Sequence, residues 1–153
     1  MKVRTAVPDD FPAIMELCRL LYLENGATKV NWETVQNTIF KGINGEMATL
    51  GVIGPSSHLE GMIYIRFASM WYSDELILEE IYNFVHPNHR RSKNARSLTE
   101  FAKQASDKLG VPLLIGIISN ERTAAKIRLY ERTFGKPSGA YFLYNARTGQ
   151  KDE

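Results

Sequence analysis

The residues best placed to do chemistry lie in one stretch of this 153-residue chain. Arg90, Arg91, Lys93 and Arg96 crowd the start of a helix pattern in which Ala95, Leu98, Ala102, Ala105 and Leu109 recur every three or four positions. A helix N-terminus carries free N–H groups and a partial positive charge, so it favours acids and disfavours cations. Cations stacked there cost stability unless an anion joins them. The chemistry implied is a grip on phosphate shared by backbone N–H groups and basic side chains. Just upstream, Glu79 and Glu80 interrupt an apolar run, residues 77–85, that is rich in β-formers. Carboxylates in a buried strand are costly unless paired or wet. Regular pleating sets Glu79 on the same face as Asn83 and Glu80 on the opposite one.

The elements that must carry these residues follow from periodicity and turn chemistry. Residues 2–7 alternate as a short strand. Pro8, Asp9 and Asp10 stop it and offer an N-cap to a helix over 11–23 that ends at Asn25 and Gly26. Asn31 caps a second helix over 32–41, with Gly42 beyond it. Strands over 47–53, 61–71 and 76–85, joined by short turns, form an antiparallel meander. The helix over 93–109 ends at Gly110, and Pro112 forbids its continuation. The apolar residues 113–118 read as a strand buried on both faces, parallel to its neighbour across a βαβ crossover. A helix over 123–134 and a closing strand over 139–144 complete the order β-α-α-β-β-β-α-β-α-β. The expected class is α/β, a mixed sheet with helices on both faces. One domain is expected over 1–145, with a polar tail over 146–153 that frays.

The net charge of +2 makes the basicity local rather than global, and no second basic stripe accompanies the turn. Nucleic acid is therefore not an expected partner. A single cysteine, Cys18, excludes an internal disulfide framework and fits a reducing compartment. The apolar run 13–23 is broken by Glu16 and Arg19, which is neither a signal peptide nor a membrane span, so a cytoplasmic protein is expected. Three scattered histidines and one cysteine leave no metal-ligand cluster, and no metal is expected. His86 and His89 read as surface residues.

Val85, Pro87, Arg90 and Ala95 resemble the signature Val-x-Pro-x-x-Gln/Arg-x-x-Gly-x-Gly/Ala of the GNAT superfamily of N-acetyltransferases, with Lys93 replacing the first signature glycine. Val3 to Asp10 resembles that family's N-terminal strand and helix start. Asn120, then Leu129, Tyr130, Glu131, Arg132 and Gly135, resembles its late Asn … Leu-Tyr-Glu … Gly segment. The resemblance spans residues 2–144. It implies a sheet whose fourth and fifth strands splay apart, with the arm of acetyl-CoA in the gap against the backbone of Phe84 and Val85. By the same resemblance Arg90, Arg91, Ser92, Lys93, Asn94, Ala95 and Arg96 hold the pyrophosphate, and Asn120 contacts the pantetheine arm. Glycine at the Lys93 position normally lets the loop approach phosphate, so a lysine fits only if its Cβ is tolerated and its stem points outward. The implied reaction is direct attack of a primary amine on acetyl-CoA. Glu79 would be the general base, with Glu80 in reserve, and Tyr130 the general acid toward the CoA sulfur.

Each of these residues also has a plainer reading. Glu79 reads equally as a salt-bridged strand carboxylate, Tyr130 as a core aromatic, the basic turn as a solvated charge run and Asn120 as a turn former. Lys126 and Arg128 read as a solvated helix face, and Cys18 as a buried filler. Met70, Trp71 and Tyr72 make an aromatic cluster that lines an acceptor pocket or supports a homodimer, and the residues do not choose between these. The acceptor is a small-molecule or peptide amine of unspecified kind. A non-catalytic module that binds CoA or another ligand is the competing function, which Lys93 keeps open.

Overall fold

In the computed structural model, which describes residues 2–119 and 122–146, the alternating apolar segments form a single sheet. In chain order the elements are β1 (Arg4–Thr5), α1 (Phe11–Asn25), α2 (Trp32–Asn44), β2 (Ala48–Ile53), β3 (Gly61–Ala68), β4 (Ile77–Val85), α3 (Asn94–Leu109), β5 (Leu113–Leu114) and α4 (Thr123–Phe134). The strands lie side by side in that order. Pairing is antiparallel from β1 to β4 and parallel between β4 and β5, as a crossover through α3 requires. The sheet is mixed and helices cover both faces, as the sequence predicts.

Alternation along the strands divides the core in two. Leu50, Val52, Met62, Tyr64 and Phe84 pack against Ile14, Leu17 and Cys18 of α1 and Ile39 of α2. Ile53, Ile63, Ile65, Leu78 and Val85 pack against Leu98 and Ala102 of α3. Leu78 and Val85 have opposite parity yet share a face. One residue of β4 must therefore be extra. The register places it at Ile81, since Tyr64 pairs with Tyr82 while Ile65 pairs with Glu80. This β-bulge turns the strand over midway.

Several expectations are corrected. The second helix runs past Gly42 to Asn44 and stops at Gly45, which takes a left-handed φ of 71°. Gly42 is there for packing, because a Cβ would fall 2.6 Å from the Tyr64 ring. The strand expected over 113–118 pairs only at Leu113 and Leu114, and Leu114 and Ile118 are exposed. Beyond Leu114 the chain leaves β4 and pairs with no strand among the described residues. Residues 139–144 form no strand, because so short a β5 offers no ladder for them; Tyr141, Phe142 and Tyr144 stand in solvent. Asp10 makes no side-chain cap on α1.

Asp10 instead locks the N-terminus. Fully buried, it takes a bidentate pair from Arg4 at 2.8 Å, an N–H from Val7 at 2.8 Å and the Ser56 hydroxyl at 2.7 Å. Arg4 also donates to the carbonyl of Gly54 at 2.9 Å, so β1 is tied to the β2–β3 turn. The Arg4 guanidinium, with the Val7 and Ser56 donors, outweighs burial and lowers the Asp10 pKa to about 2. Replacing Asp10 by Asn should cost about 2–4 kcal/mol in urea unfolding, because Arg4 loses its charge partner. The depressed pKa means this stability is present above pH 3.8 and lost as the pH falls through about 2. That acid limb should be missing in the variant, and an unchanged limb would assign it elsewhere.

Candidate functional site

Beyond the two pairs with β5, at Leu78 and Glu79, β4 has no strand partner on that edge among the described residues. A cleft of about 570 Å³ fills the gap. β4 lines it from Glu79 to Asn83, the departing chain from Leu114 to Ile118, and α1, α2 and α4 close its sides. A smaller cavity of about 100 Å³ continues along Asn83, Phe84 and Val85 to Ala95 at the start of α3. The two share Asn83, Lys126 and Tyr130, so they form one groove along the free edge of β4.

The bulge decides which carboxylate faces the groove's acid–base chain. Glu80 pairs with Ile65 and Asn83 with Ile63, and both isoleucines belong to the α3 face. Glu79 pairs with Arg66 on the other face. The expectation that Glu79 and Asn83 share a face is overturned, because Ile81 is inserted between them. Glu79 accepts from the Arg66 guanidinium at 3.0 Å in a half-exposed salt bridge. Glu80 accepts the Tyr130 hydroxyl proton at 3.3 Å, and the Asn83 amide donates to the same hydroxyl oxygen at 3.2 Å. Burial raises the Glu80 pKa to about 7; the Tyr130 hydrogen bond and the Lys126 ammonium only partly oppose it. Burial also raises the Tyr130 pKa, as does the neighbouring Glu80 charge.

Lys126 lines both cavities, although its sequence context reads as a solvated face. Burial lowers its pKa, against the pull of Glu80 and Glu24. The signal was present in its position four residues before Tyr130, which sets both on one side of α4. Arg122, at the N-cap of α4, also lines the smaller cavity and was not singled out.

The basic turn divides its labour. Arg90 donates to both oxygens of Glu24 at 2.9 and 2.7 Å and to the carbonyl of Val85 at 3.2 Å, and lies 5.4 Å above the Phe84 ring. It is a clamp as much as a cation. Arg91, Ser92, Lys93 and Arg96 are exposed. Lys93 precedes α3 with φ −84° and ψ 5°, a conformation open to any residue, so its Cβ is accommodated. Lys93 makes no side-chain cap, but the Ser92 hydroxyl accepts from the Asn94 N–H at 3.2 Å. Asn94 is buried, donates to Glu60 at 2.9 Å and fixes the helix against β3. Asn120 lies outside the described residues. Trp71 is 95% exposed at the β3–β4 turn and lines neither cavity. Cys18 is buried in the cleft wall, its thiol pushed up to about 12 by burial.

The histidines, scattered in sequence, converge. His58 from the β2–β3 turn stacks near His86 and His89, with ring centroids 5.3–5.6 Å apart. Pairing of Gly61 with Val85 brings that turn beside the end of β4. His89 faces Glu60 at 3.3 Å, and burial with its charged neighbours lowers the His86 pKa. No group of three or more His, Cys, Asp or Glu side chains among the described residues is arranged to hold a metal ion. Among those residues, no helix is long and apolar enough to cross a membrane.

No protein-family model and no curated protein matches the chain. Solved structures do. AAC(6')-Iy, solved with the bisubstrate analog CoA-S-monomethyl-acetylneamine, superposes with a TM-score of 0.72 at 11% identity, over 94% of this chain and 95% of that one. A possible acetyltransferase from Clostridium difficile 630 gives 0.71 at 15% identity, over 94% and 95%. The aminoglycoside acetyltransferase meta-AAC0020, from an uncultured soil metagenomic sample, gives 0.68 at 16% identity, over 94% of each chain. Sheet order, the parting of the chain from β4 beyond β5 and these likenesses agree: the chain has the fold of the GNAT acetyltransferases.

Proposed function

We propose that the protein is an N-acetyltransferase that moves an acetyl group from acetyl-CoA to a small-molecule amine, with Glu80 as general base and Tyr130 as general acid. One observation carries the reading. A carboxyl with a pKa of about 7 is hydrogen-bonded to a buried tyrosine where β4 loses its strand partner, beside a groove lined by cations. The fit to CoA rests on the same features. The β4 edge from Glu80 to Val85 has backbone groups to pair with an amide-bearing arm, while Arg90, Arg122 and Lys126 line the route to the start of α3. Exposed Arg91, Lys93 and Arg96 supply further charge for phosphates.

The thioester supplies an activated acyl carbon; the chain supplies protons and position. Glu80, near half-ionised at neutral pH, takes the proton from the attacking nitrogen as the C–N bond forms and the C–S bond breaks. Tyr130 stays protonated because its pKa is raised, so it holds a proton for the departing sulfur. It recovers that proton from Glu80 through the 3.3 Å hydrogen bond. Asn83 holds the hydroxyl oxygen in place throughout. Glu79, the base implied by sequence resemblance, is left as a partner of Arg66.

Calorimetric titration with acetyl-CoA should show micromolar binding. Changing Arg91, Lys93 and Arg96 together to Gln should weaken it by about tenfold or more and flatten its salt dependence. No binding to the wild type would overturn the proposal.

Glu80→Gln should lower kcat by about 10²–10³-fold, leave acetyl-CoA binding intact and remove the rise in rate with pH centred near 7. Glu79→Gln should keep that rise. The same Glu80 variant tests the linkage. A carboxyl whose folded pKa is raised favours folding below 4.5, and that contribution is lost as pH rises through about 7. Glu80→Gln should therefore be more stable than wild type at about pH 8, by about 1–2 kcal/mol after allowing for partial solvent screening. Equal stability at both ends of the pH range would refute the tuned carboxyl.

A further inference from the structure

The walls of the larger cleft say what kind of amine it accepts, given the acetyl-transfer reading above. The side opposite Glu80 is built from Leu21 and Tyr22 of α1, Val30 of the connecting loop, and Trp32, Val35 and Ile39 of α2. Tyr22 and Trp32 meet edge to face, with centroids 6.1 Å apart, and so present an aromatic corner. Carboxylates are scarce. Glu79 and Glu80 are the acidic residues among the lining, and Glu79 is already paired with Arg66 at 3.0 Å. Lys126 stands in the same wall and adds a positive charge.

The balance allows one ammonium. A first cation can settle at Glu80. A second would lose its water, find no free carboxylate among the described lining residues and meet Lys126. A polycationic acceptor such as an aminoglycoside, the kind named for several structural neighbours, needs several acidic partners, which the described residues of the cleft do not supply. An apolar body gains by burial against Leu21, Val35 and Ile39 and by contact with the aromatic corner. We infer that the acceptor is a monoamine carried on an apolar body of aromatic size, and that it enters between α1 and α2 with its nitrogen toward Glu80.

The chain has two tryptophans, and Trp71 is 95% exposed and away from the cleft. In a Trp71→Phe background, Trp32 alone reports on the cleft. Titrating this protein, saturated with CoA, with 2-phenylethylamine and separately with neamine should shift Trp32 fluorescence. The aromatic amine should bind at least about tenfold more tightly. Thiol release from acetyl-CoA should favour 2-phenylethylamine in kcat/KM by a similar factor, about tenfold or more. Val30→Asp, a loop change that adds a carboxylate to the wall, should narrow the preference. Neamine binding as tightly as 2-phenylethylamine, or neither amine changing the Trp32 signal, would overturn the inference. Failure of acetyl-CoA to bind, or thiol release insensitive to Glu80→Gln, would instead sink the acetyl-transfer reading. The Trp32 titration, run then without CoA, would still decide what the cleft prefers.

Discussion

One inserted residue in β4 sets the terms for everything around the cleft. With Ile81 accommodated as a bulge, Leu78 and Val85 can both face α3 while Tyr82 and Phe84 face α1 and α2. Both cores stay apolar. The carboxylate that falls next to Tyr130 is consequently Glu80, not Glu79. A bulge also bends and over-twists its strand. That is how β4 can hold a ladder with β3 along its whole length yet keep only two pairs with β5. The gap, the free backbone edge and the parity of the glutamates share one cause.

The arrangement is costly locally and stabilised elsewhere. A carboxyl in the cleft floor is held up near neutrality by burial, and the buried Tyr130 hydroxyl is satisfied only by leaning on Asn83 and Glu80. The surrounding frame is correspondingly fixed. Asp10 ties β1 to the β2–β3 turn, and Asn94 ties the start of α3 to Glu60, just before β3. An unpaired strand edge and a buried carboxyl meet in the region where chemistry is proposed, which is where a minimally frustrated chain tolerates them.

Most of the frame was legible because it obeys simple periods. Helix α4 runs from Thr123 to Phe134 as its spacing and flanking Gly135 predict, and the meander and the parallel crossover follow from short turns and from Pro112. What failed to show were features that break period. A bulge adds one residue with no signature of its own in Glu-Glu-Ile-Tyr-Asn, so regular pleating gave Asn83 the wrong glutamate. An apolar run such as Ile115 to Ile118 looks like a strand whether or not it pairs with an edge; here it diverges from the free edge of β4 and pairs with no strand among the described residues. The histidines and Arg90–Glu24 are long-range meetings, 31 and 66 residues apart, that no local pattern encodes.

Arg90 shows why a charge run cannot be read by counting charges. Its guanidinium is bidentate to Glu24 in the last turns of α1, bonded to the Val85 carbonyl and set over the Phe84 ring. A planar fork can make all three contacts at once; a lysine could not. The basic turn is thereby pinned to the helix that forms the cleft's apolar wall, so the two ends of the groove share one joint. With Arg90 committed to geometry, charge for a polyanion falls to Arg91, Lys93 and Arg96, which are exposed, and to Arg122 and Lys126 across the groove. A side chain beyond Cβ at residue 93, where the family signature has glycine, then adds a cation to the rim, since its backbone needs no glycine to take the turn.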